Sequence, residues 1–183
     1  EWFGTYGKPL RRDRYEAVLQ SWDTASVPGE SNDWSVCTTW GLIGNHVDLL
    51  DVHRAQLLYP ELLAAAEKMR AAWRPDLLHV EKAGVGYALA TELHRRDRRG
   101  VHAWATRQGK VERMVAQTAM LEAGQVRLPA AAPWKEAFLA EVAAFPNGRH
   151  DDQVDSMSLA LRIIARGVGE IRHCSRYKRR AEG

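Results

Sequence analysis

Five acidic residues have the types and spacing that metal-dependent chemistry requires: Asp23, Glu81, Asp151, Asp152 and Asp155. The first ends a predicted strand, the second directly follows a short apolar strand, and the last three open a predicted helix. Carboxylates a few ångströms apart raise one another's pKa unless a cation neutralises them. Oxygen-only ligand sets suit hard ions, so the cation expected here is Mg²⁺ or Mn²⁺. Two such ions about 3.5–4 Å apart would stabilise both the attacking and the leaving oxygen of a phosphodiester.

Each of these acids also has a purely structural interpretation. Asp23 is at a position typical of a turn residue, and Glu81 is at one typical of exposed surface. Asp151 or Asp152 could cap the helix that follows, and Asp155 could simply favour its dipole. The residues taken singly leave both interpretations open, whereas their joint order and the elements that carry them favour a shared site.

The hydrophobic pattern predicts an α/β fold with a mixed sheet of five or more strands flanked by helices. Residues 17–53 read as three strands, with a hairpin turn at Gly44-Asn45. Further strands are expected at 77–80 and 102–106, giving the order βββαβαβαα(α) with room for a short strand at 126–128. A third helix is expected through Met114 and Leu121, closed by Gly124. Because ligand sites form beyond the carboxyl ends of strands, Asp23 and Glu81 would converge if the first and fourth strands are neighbours.

Composition indicates an ordinary globular domain of 183 residues, with 45% hydrophobic and 27% charged residues. No apolar run reaches 18 residues, so we expect no transmembrane helix, and the first residues show no signal-peptide pattern. Cys37 and Cys174 stand apart, so we expect reduced thiols and no zinc site. Because the chain begins without Met, we expect an excised domain. We divide it into a linker or edge segment (1–16), the main domain (17–168) and a basic C-terminal tail (169–183).

The net charge is only +3, but basic residues are clustered. One cluster lies at 95–99 and the other at 172–180. Each is either a solvated face or a contact for the phosphate backbone of a nucleic acid.

Four strings together carry a resemblance to a known family: Ser21-Trp22-Asp23-Thr24-Ala25, the pair Leu49-Leu50-Asp51-Val52 and Tyr59-Pro60-Glu61-Leu62, Val80-Glu81-Lys82-Ala83-Gly84, and the stretch Phe145-Pro146-Asn147-Gly148-Arg149-His150-Asp151-Asp152-Gln153-Val154-Asp155-Ser156. In this order, over residues 17 to 165, the chain resembles the C-terminal nuclease domain of phage large terminase subunits. The last string is the most specific.

The resemblance implies an RNase H-like fold of the retroviral integrase superfamily and an endonuclease that cuts concatemeric viral DNA at the start and end of packaging. It implies that Asp23, Glu81, Asp151 and Asp152 are catalytic and hold two metal ions, with Asp155 as a second-tier ligand. Which of Asp151 and Asp152 is the principal ligand stays open.

Four further residues are expected to contact DNA, although a solvated or loop role is the alternative for each: Lys82, Lys110, Arg113 and His150. The partners implied are double-stranded DNA, the portal, the small terminase subunit and an ATPase domain ahead of the nuclease, with no membrane. No G-x-x-x-x-G-K-[ST] motif occurs here, so the ATPase is expected upstream. The expected location is the cytoplasm of the bacterial host.

The sequence leaves two other functional hypotheses open. A RuvC-like or RNase H-type nuclease would use the same carboxylate chemistry but lacks the string at 145–156. A non-catalytic module of the packaging motor would bind DNA or the portal and cut only in the full assembly.

Overall fold

The structure is a computed structural model, which describes residues 2–24, 34–97, 100–105 and 108–181, with side chains described as far as residue 167. The basic cluster at 172–180, Cys174 and two arginines of the cluster at 95–99 therefore lie outside the described side chains.

A seven-stranded mixed sheet forms the centre of the described residues, in the order β1-β7-β4-β3-β2-β5-β6. Its strands are β1 (Gly4–Tyr6), β2 (Ala17–Asp23), β3 (Ser35–Ile43), β4 (His46–Ala55), β5 (Leu77–Glu81), β6 (Val101–Trp104) and β7 (Val126–Pro129). Only β3 runs against its neighbours, so the carboxyl ends of the other six strands meet at one edge. Gly44, with φ 57°, lies in the tight turn between β3 and β4.

Helices cover both faces of this sheet. They are α1 (Tyr59–Trp73), α2 (Gly86–Arg96), α3 (Lys110–Val115), α4 (Thr118–Glu122), α5 (Lys135–Ala144) and α6 (Asp152–Ala181), with a 3₁₀ turn at Arg12–Arg14. One apolar core packs α5 and α6 on the sheet through residues such as Leu19, Trp40 and Met157. The other packs α1 and α2 on the opposite face around Trp22 and Leu78. The domain is thus three layers, with the central strand β2 buried between two helical layers.

The predicted fold class is confirmed, as are the antiparallel strands of residues 17–53 and the pairing of the first predicted strand with the strand before Glu81. The third predicted helix is wrong as a single element: α3 ends at Val115 and α4 begins at Thr118. At the break the Gln117 N–H donates to the carbonyl oxygen of Met114, three residues back, instead of keeping the four-residue spacing of an α-helix. The strand β1 is an edge strand that the sequence pattern did not reveal. The proposed domain boundaries stay predictions. No described helix is long and apolar enough to span a membrane.

Candidate metal centre

Strand pairing places the first two acids side by side. In the parallel pair β2–β5, Trp22 lies opposite Val80, so the next residue of each strand, Asp23 and Glu81, adjoin at the carboxyl edge. Side chains alternate along a strand, so both carboxylates project to the face that α6 covers. This is the arrangement that the sequence predicts if these two strands are neighbours.

A buried hydroxyl fixes α6 against this edge. Ser156 Oγ donates to the carbonyl oxygen of Ser21 at 2.8 Å, accepts from the backbone N–H of Thr38 at 3.2 Å, and lies 2.7 Å from Thr38 Oγ1. Ser21, which lies two residues before Asp23 in β2, is paired with Thr38 of β3. The first turn of α6, with its acids, is therefore held directly above the end of β2.

The helix start is capped from outside by α5. Both carboxylate oxygens of Glu141 accept bonds from Gln153, one from the backbone N–H and one from Nε2, each at 2.6 Å. An anion at a helix N-terminus satisfies donors that have no partner within the helix and interacts favourably with the dipole. Arg54 lies 3.7 Å from the same carboxylate and stacks on the Trp34 ring. These contacts fix the helix start, which carries Asp152.

Two basic residues of α3 contact the acids of α6. Lys110 Nζ is 2.8 Å from both Asp151 Oδ1 and Asp155 Oδ2. Arg113 forms a buried ion pair with the other oxygen of Asp155, and both of these side chains are 5% exposed. Arg113 thus faces a carboxylate rather than solvent, and its predicted contact with DNA stays a prediction, as does that of Lys110.

The acids lie close enough for their charges to change one another's pKa. Burial, followed by the charges of Asp155 and Glu81 and then Asp152, raises the pKa of Asp23 well above its usual value. Burial also raises the pKa of Asp152 and that of Asp155. Partial burial alone would lower the pKa of Lys110. Its bonds to Asp151 and Asp155 outweigh burial, so the pKa of Lys110 is raised. The predicted acids are therefore brought together, with Asp151 joined to the group through Lys110.

The chemistry of this donor set fits a hard divalent cation. All the converging groups are carboxylates, and Asp23 has too few positive neighbours to hold its charge easily. Within the ranges that the structure describes, no three ligating side chains form a ready-made metal cage. In the described chain, Asp151 and Asp155 are paired instead with positive charges of α3, those of Lys110 and Arg113.

The histidine before the acidic pair lies at the rim of the cluster. His150 Nδ1 is 4.0 Å from Asp152 Oδ2, and its ring meets that of Trp34 edge-on, with centroids 6.4 Å apart. It is placed to contact a substrate or to orient Asp152, and its predicted role in DNA binding stays a prediction.

The sequence pattern did not mark Glu141 and Ser156, which hold the start of α6, or the buried His79 near Glu81. His79 is buried two residues before Glu81 on the same face, where burial, with the charges of His102 and Arg162, lowers its pKa to about 4. It is therefore neutral near neutral pH. The strand pattern could have signalled a polar residue at a buried position, but no local pattern marks Glu141, whose partner lies on another helix.

An RNase H-like fold with acids at the ends of two adjacent parallel strands and at the start of the last helix defines a class of nucleic-acid-cleaving domains. The comparisons with known proteins agree with this class. The family model described as "Terminase RNaseH-like domain" matches residues 20–162. The chain therefore belongs to the family of terminase RNase H-like domains, the nuclease domains of phage large terminases that cut packaged DNA, as the sequence predicts.

Solved structures share the fold at low sequence identity. The large terminase nuclease from thermophilic phage G20c with bound zinc has a TM-score of 0.67 and 19% identity, covering 88% of this chain and 94% of that one. The Thermus phage P74-26 large terminase nuclease domain has a TM-score of 0.63 and 17% identity, covering 88% and 91%. A large terminase from another thermophilic bacteriophage has a TM-score of 0.65 and 13% identity, and the match covers 88% of this chain but 43% of that one. The comparison with curated proteins found no significant match.

Proposed function

We propose that this domain hydrolyses phosphodiester bonds of double-stranded DNA with two Mg²⁺ or Mn²⁺ ions, held by Asp23, Glu81, Asp151 and Asp152. The observation that carries the proposal is the placement of Asp23 and Glu81 side by side at the ends of β2 and β5, beneath the first turn of α6. The raised pKa of Asp23, caused by burial and by the acids around it, agrees with this placement. The solved structures of the G20c nuclease with bound zinc, cobalt and magnesium support the use of divalent ions.

When bound, the divalent ions neutralise the carboxylates and polarise the phosphodiester. The chain's own residues supply position and charge. Asp23 and Glu81 present adjacent carboxylates at the sheet edge, and Ser156 and Glu141 hold the acids of α6 above them. Arg113 keeps Asp155 oriented through a buried ion pair, which supports a secondary rather than a principal role for Asp155.

The biological substrate we propose is concatemeric viral DNA, cut at the start and end of packaging in the cytoplasm of a bacterial host. We further propose that the domain works within a large terminase subunit that carries an ATPase domain ahead of it, and with the portal and the small terminase subunit. The large terminase chain of which the match covers only 43% supports a longer subunit.

The test is nicking of supercoiled plasmid by the purified domain with Mn²⁺. We expect wild type to nick, and Asp23→Asn and Glu81→Gln to lose nicking while remaining folded, because each amide keeps the shape and removes a ligand charge. Asp13→Asn is the matched control, since Asp13 is exposed in the 3₁₀ turn away from the cluster. Nicking by folded Asp23→Asn at the wild-type rate would reject the assignment. A folded wild type that binds DNA without cutting it would favour the non-catalytic module.

A further inference from the structure

The turn that follows Glu81 leads into a helix whose N-terminus is not capped. Among the described residues, no side chain caps α2, and its first turn holds no acid. The first N–H groups of an α-helix have no acceptor within the helix, and together with the dipole they attract anions. Helix α2 has 11 residues, enough for this effect to develop. A free N-terminus alone does not define a site, but two other features converge on it.

The first is a buried hydroxyl without a partner. Thr24, the residue after Asp23, is 6% exposed, and its Oγ1 has no hydrogen-bond partner among the described residues. A buried hydroxyl without a partner destabilises a protein, so its presence requires a reason.

The hydroxyl points at the start of α2. A Cβ atom added to Gly86, the first residue of α2, would lie 3.0 Å from Thr24 Oγ1 and 2.1 Å from the carbonyl oxygen of Glu81. Only glycine allows this approach, which brings the N-terminus of α2 against the ends of β2 and β5. The Gly86 N–H itself donates to the carbonyl oxygen of Ala83 at 2.9 Å, so the donors left for an anion are the N–H groups of Tyr87 and Ala88.

The second feature is a lysine held beside the same turn. Lys82 Nζ lies 5.0 Å from the centroid of the Tyr87 ring, and Tyr87 is the second residue of α2. Both side chains are exposed, and the cation–π contact keeps the ammonium near the first turn of the helix. No carboxylate in the described part of the chain forms an ion pair with Lys82.

We propose that the N-terminus of α2, the Thr24 hydroxyl and the Lys82 ammonium together bind one phosphodiester group of the DNA strand being cut. Backbone N–H groups, a hydroxyl and an ammonium can all donate hydrogen bonds. Such a set of donors suits the oxygens of a phosphate and does not suit a cation. Thr24 and Lys82 directly follow Asp23 and Glu81 but project to the α2 side of the same sheet edge. The bound phosphate is therefore a neighbour, along the strand, of the phosphate at the acids. The role of this site is to hold the strand in register, and the inference rests on the proposed function for its substrate.

Binding of a short duplex, followed by fluorescence anisotropy in EDTA over a range of salt, tests the proposal without cleavage. We expect Lys82→Ala to weaken binding and to reduce the slope of log K against log salt by about 0.9, the value for one lost phosphate contact. We expect Thr24→Val to weaken binding about tenfold with an unchanged slope, because it removes a hydrogen bond to a charged group but no charge. Thr24→Val should not lower the melting temperature, since the hydroxyl has no partner to lose. Lys68→Ala, an exposed lysine midway along α1, is the matched control and should bind as wild type.

A scan with single methylphosphonate linkages, which are neutral, then locates the phosphate. One position near the cut site should weaken binding by wild type and leave binding by Lys82→Ala unaffected. The proposal is overturned if no position separates the two proteins, if Lys82→Ala behaves as Lys68→Ala, or if the wild type binds no duplex. Calorimetric titration with inorganic phosphate distinguishes a phosphate group of DNA from free phosphate as the ligand. If free phosphate binds through Lys82 while Lys82→Ala binds the duplex with wild-type affinity, the assignment to a DNA strand is overturned. Plasmid nicking by the same wild-type preparation reports on the proposed function independently. Normal nicking with unchanged duplex binding by both variants would reject this site alone.

Discussion

The Asp23 carboxyl is buried among other acids, and its substitution should therefore change the pH dependence of stability. Burial and the neighbouring acids raise its pKa in the folded protein above that in the unfolded chain. Between these two values the folded state binds more protons than the unfolded state, so the stability contributed by the protonated carboxyl is lost as pH rises. Without metal, Asp23→Asn should therefore melt above wild type at pH 8, and the gap should narrow toward pH 4. Melting curves in EDTA at several pH values measure this. A mutant that melts below wild type at pH 8 would identify Asp23 as a structural turn residue.

Asp155 should respond in the opposite direction to the same substitution. Although burial also raises the pKa of Asp155, Asp155→Asn leaves the buried Arg113 guanidinium without its counter-charge, and breaking such a pair costs about 3 kcal/mol. We expect Asp155→Asn to lower the melting temperature and to retain more nicking than Asp23→Asn once it is measured below that temperature. The double variant Asp155→Leu with Arg113→Met should recover part of the lost stability, because no charge is then left buried. Wild-type stability in Asp155→Asn, with complete loss of nicking, would instead make Asp155 a principal metal ligand.

At the scale of the elements, the start of α6 depends on a cap that comes from another helix. The Glu141 carboxylate accepts two bonds from Gln153, and an amide in its place offers one acceptor oxygen instead of two and no negative charge at the helix N-terminus. We expect Glu141→Gln to destabilise the domain by about 2 kcal/mol, within the range for lost caps, and to weaken Mn²⁺ binding because the acids of α6 are no longer held. Glu136→Gln, exposed on the same helix, is the control. Chemical denaturation and Mn²⁺ titration check both effects, and equal stability of the two variants would show that the cap is dispensable.

Periodicity was enough to predict β2, β5 and the last helix. The convergence of Asp23 with Glu81 was predicted only on the condition that the first and fourth strands are neighbours, which the structure shows. The alternation of apolar residues and the punctuation by Gly and Pro are local signals, which a single sequence displays. The cap by Glu141, the Ser156 bonds to β2 and β3, and the ion pairs of α3 join residues far apart in the chain, so no local pattern announces them. The edge strand β1 lies within the segment expected to be a linker or edge segment, but no strand was assigned there, because three residues are too short to show a period.

At the scale of the whole molecule, the basic residues of α3 neutralise only some of the acids, so bound divalent ions should stabilise the folded state. The acids converge at one edge of the sheet, while Lys110 and Arg113 compensate Asp151 and Asp155 but leave Asp23 in a field of like charge. A ligand that binds only the folded state stabilises it by RT ln(1 + [L]/Kd), which is about 2.7 kcal/mol at a hundredfold excess over Kd. Global stability therefore reports the occupancy of the site without any measurement of cleavage.

Mn²⁺ should accordingly raise the melting temperature of wild type far more than that of Asp23→Asn. For a domain of this length 1 kcal/mol corresponds to about 2–4 °C, so a hundredfold excess over Kd should shift wild type by about 5–11 °C. Asp23→Asn lacks one ligand charge and starts from a less strained state, so its melting temperature should be higher in EDTA and should move less on addition of Mn²⁺. The two proteins should then converge, or exchange order, as Mn²⁺ is raised. KCl at matched ionic strength controls for general screening of charge, which would act on both proteins alike. Equal shifts for the two proteins would show that the carboxylates do not share a metal, even though they share a field.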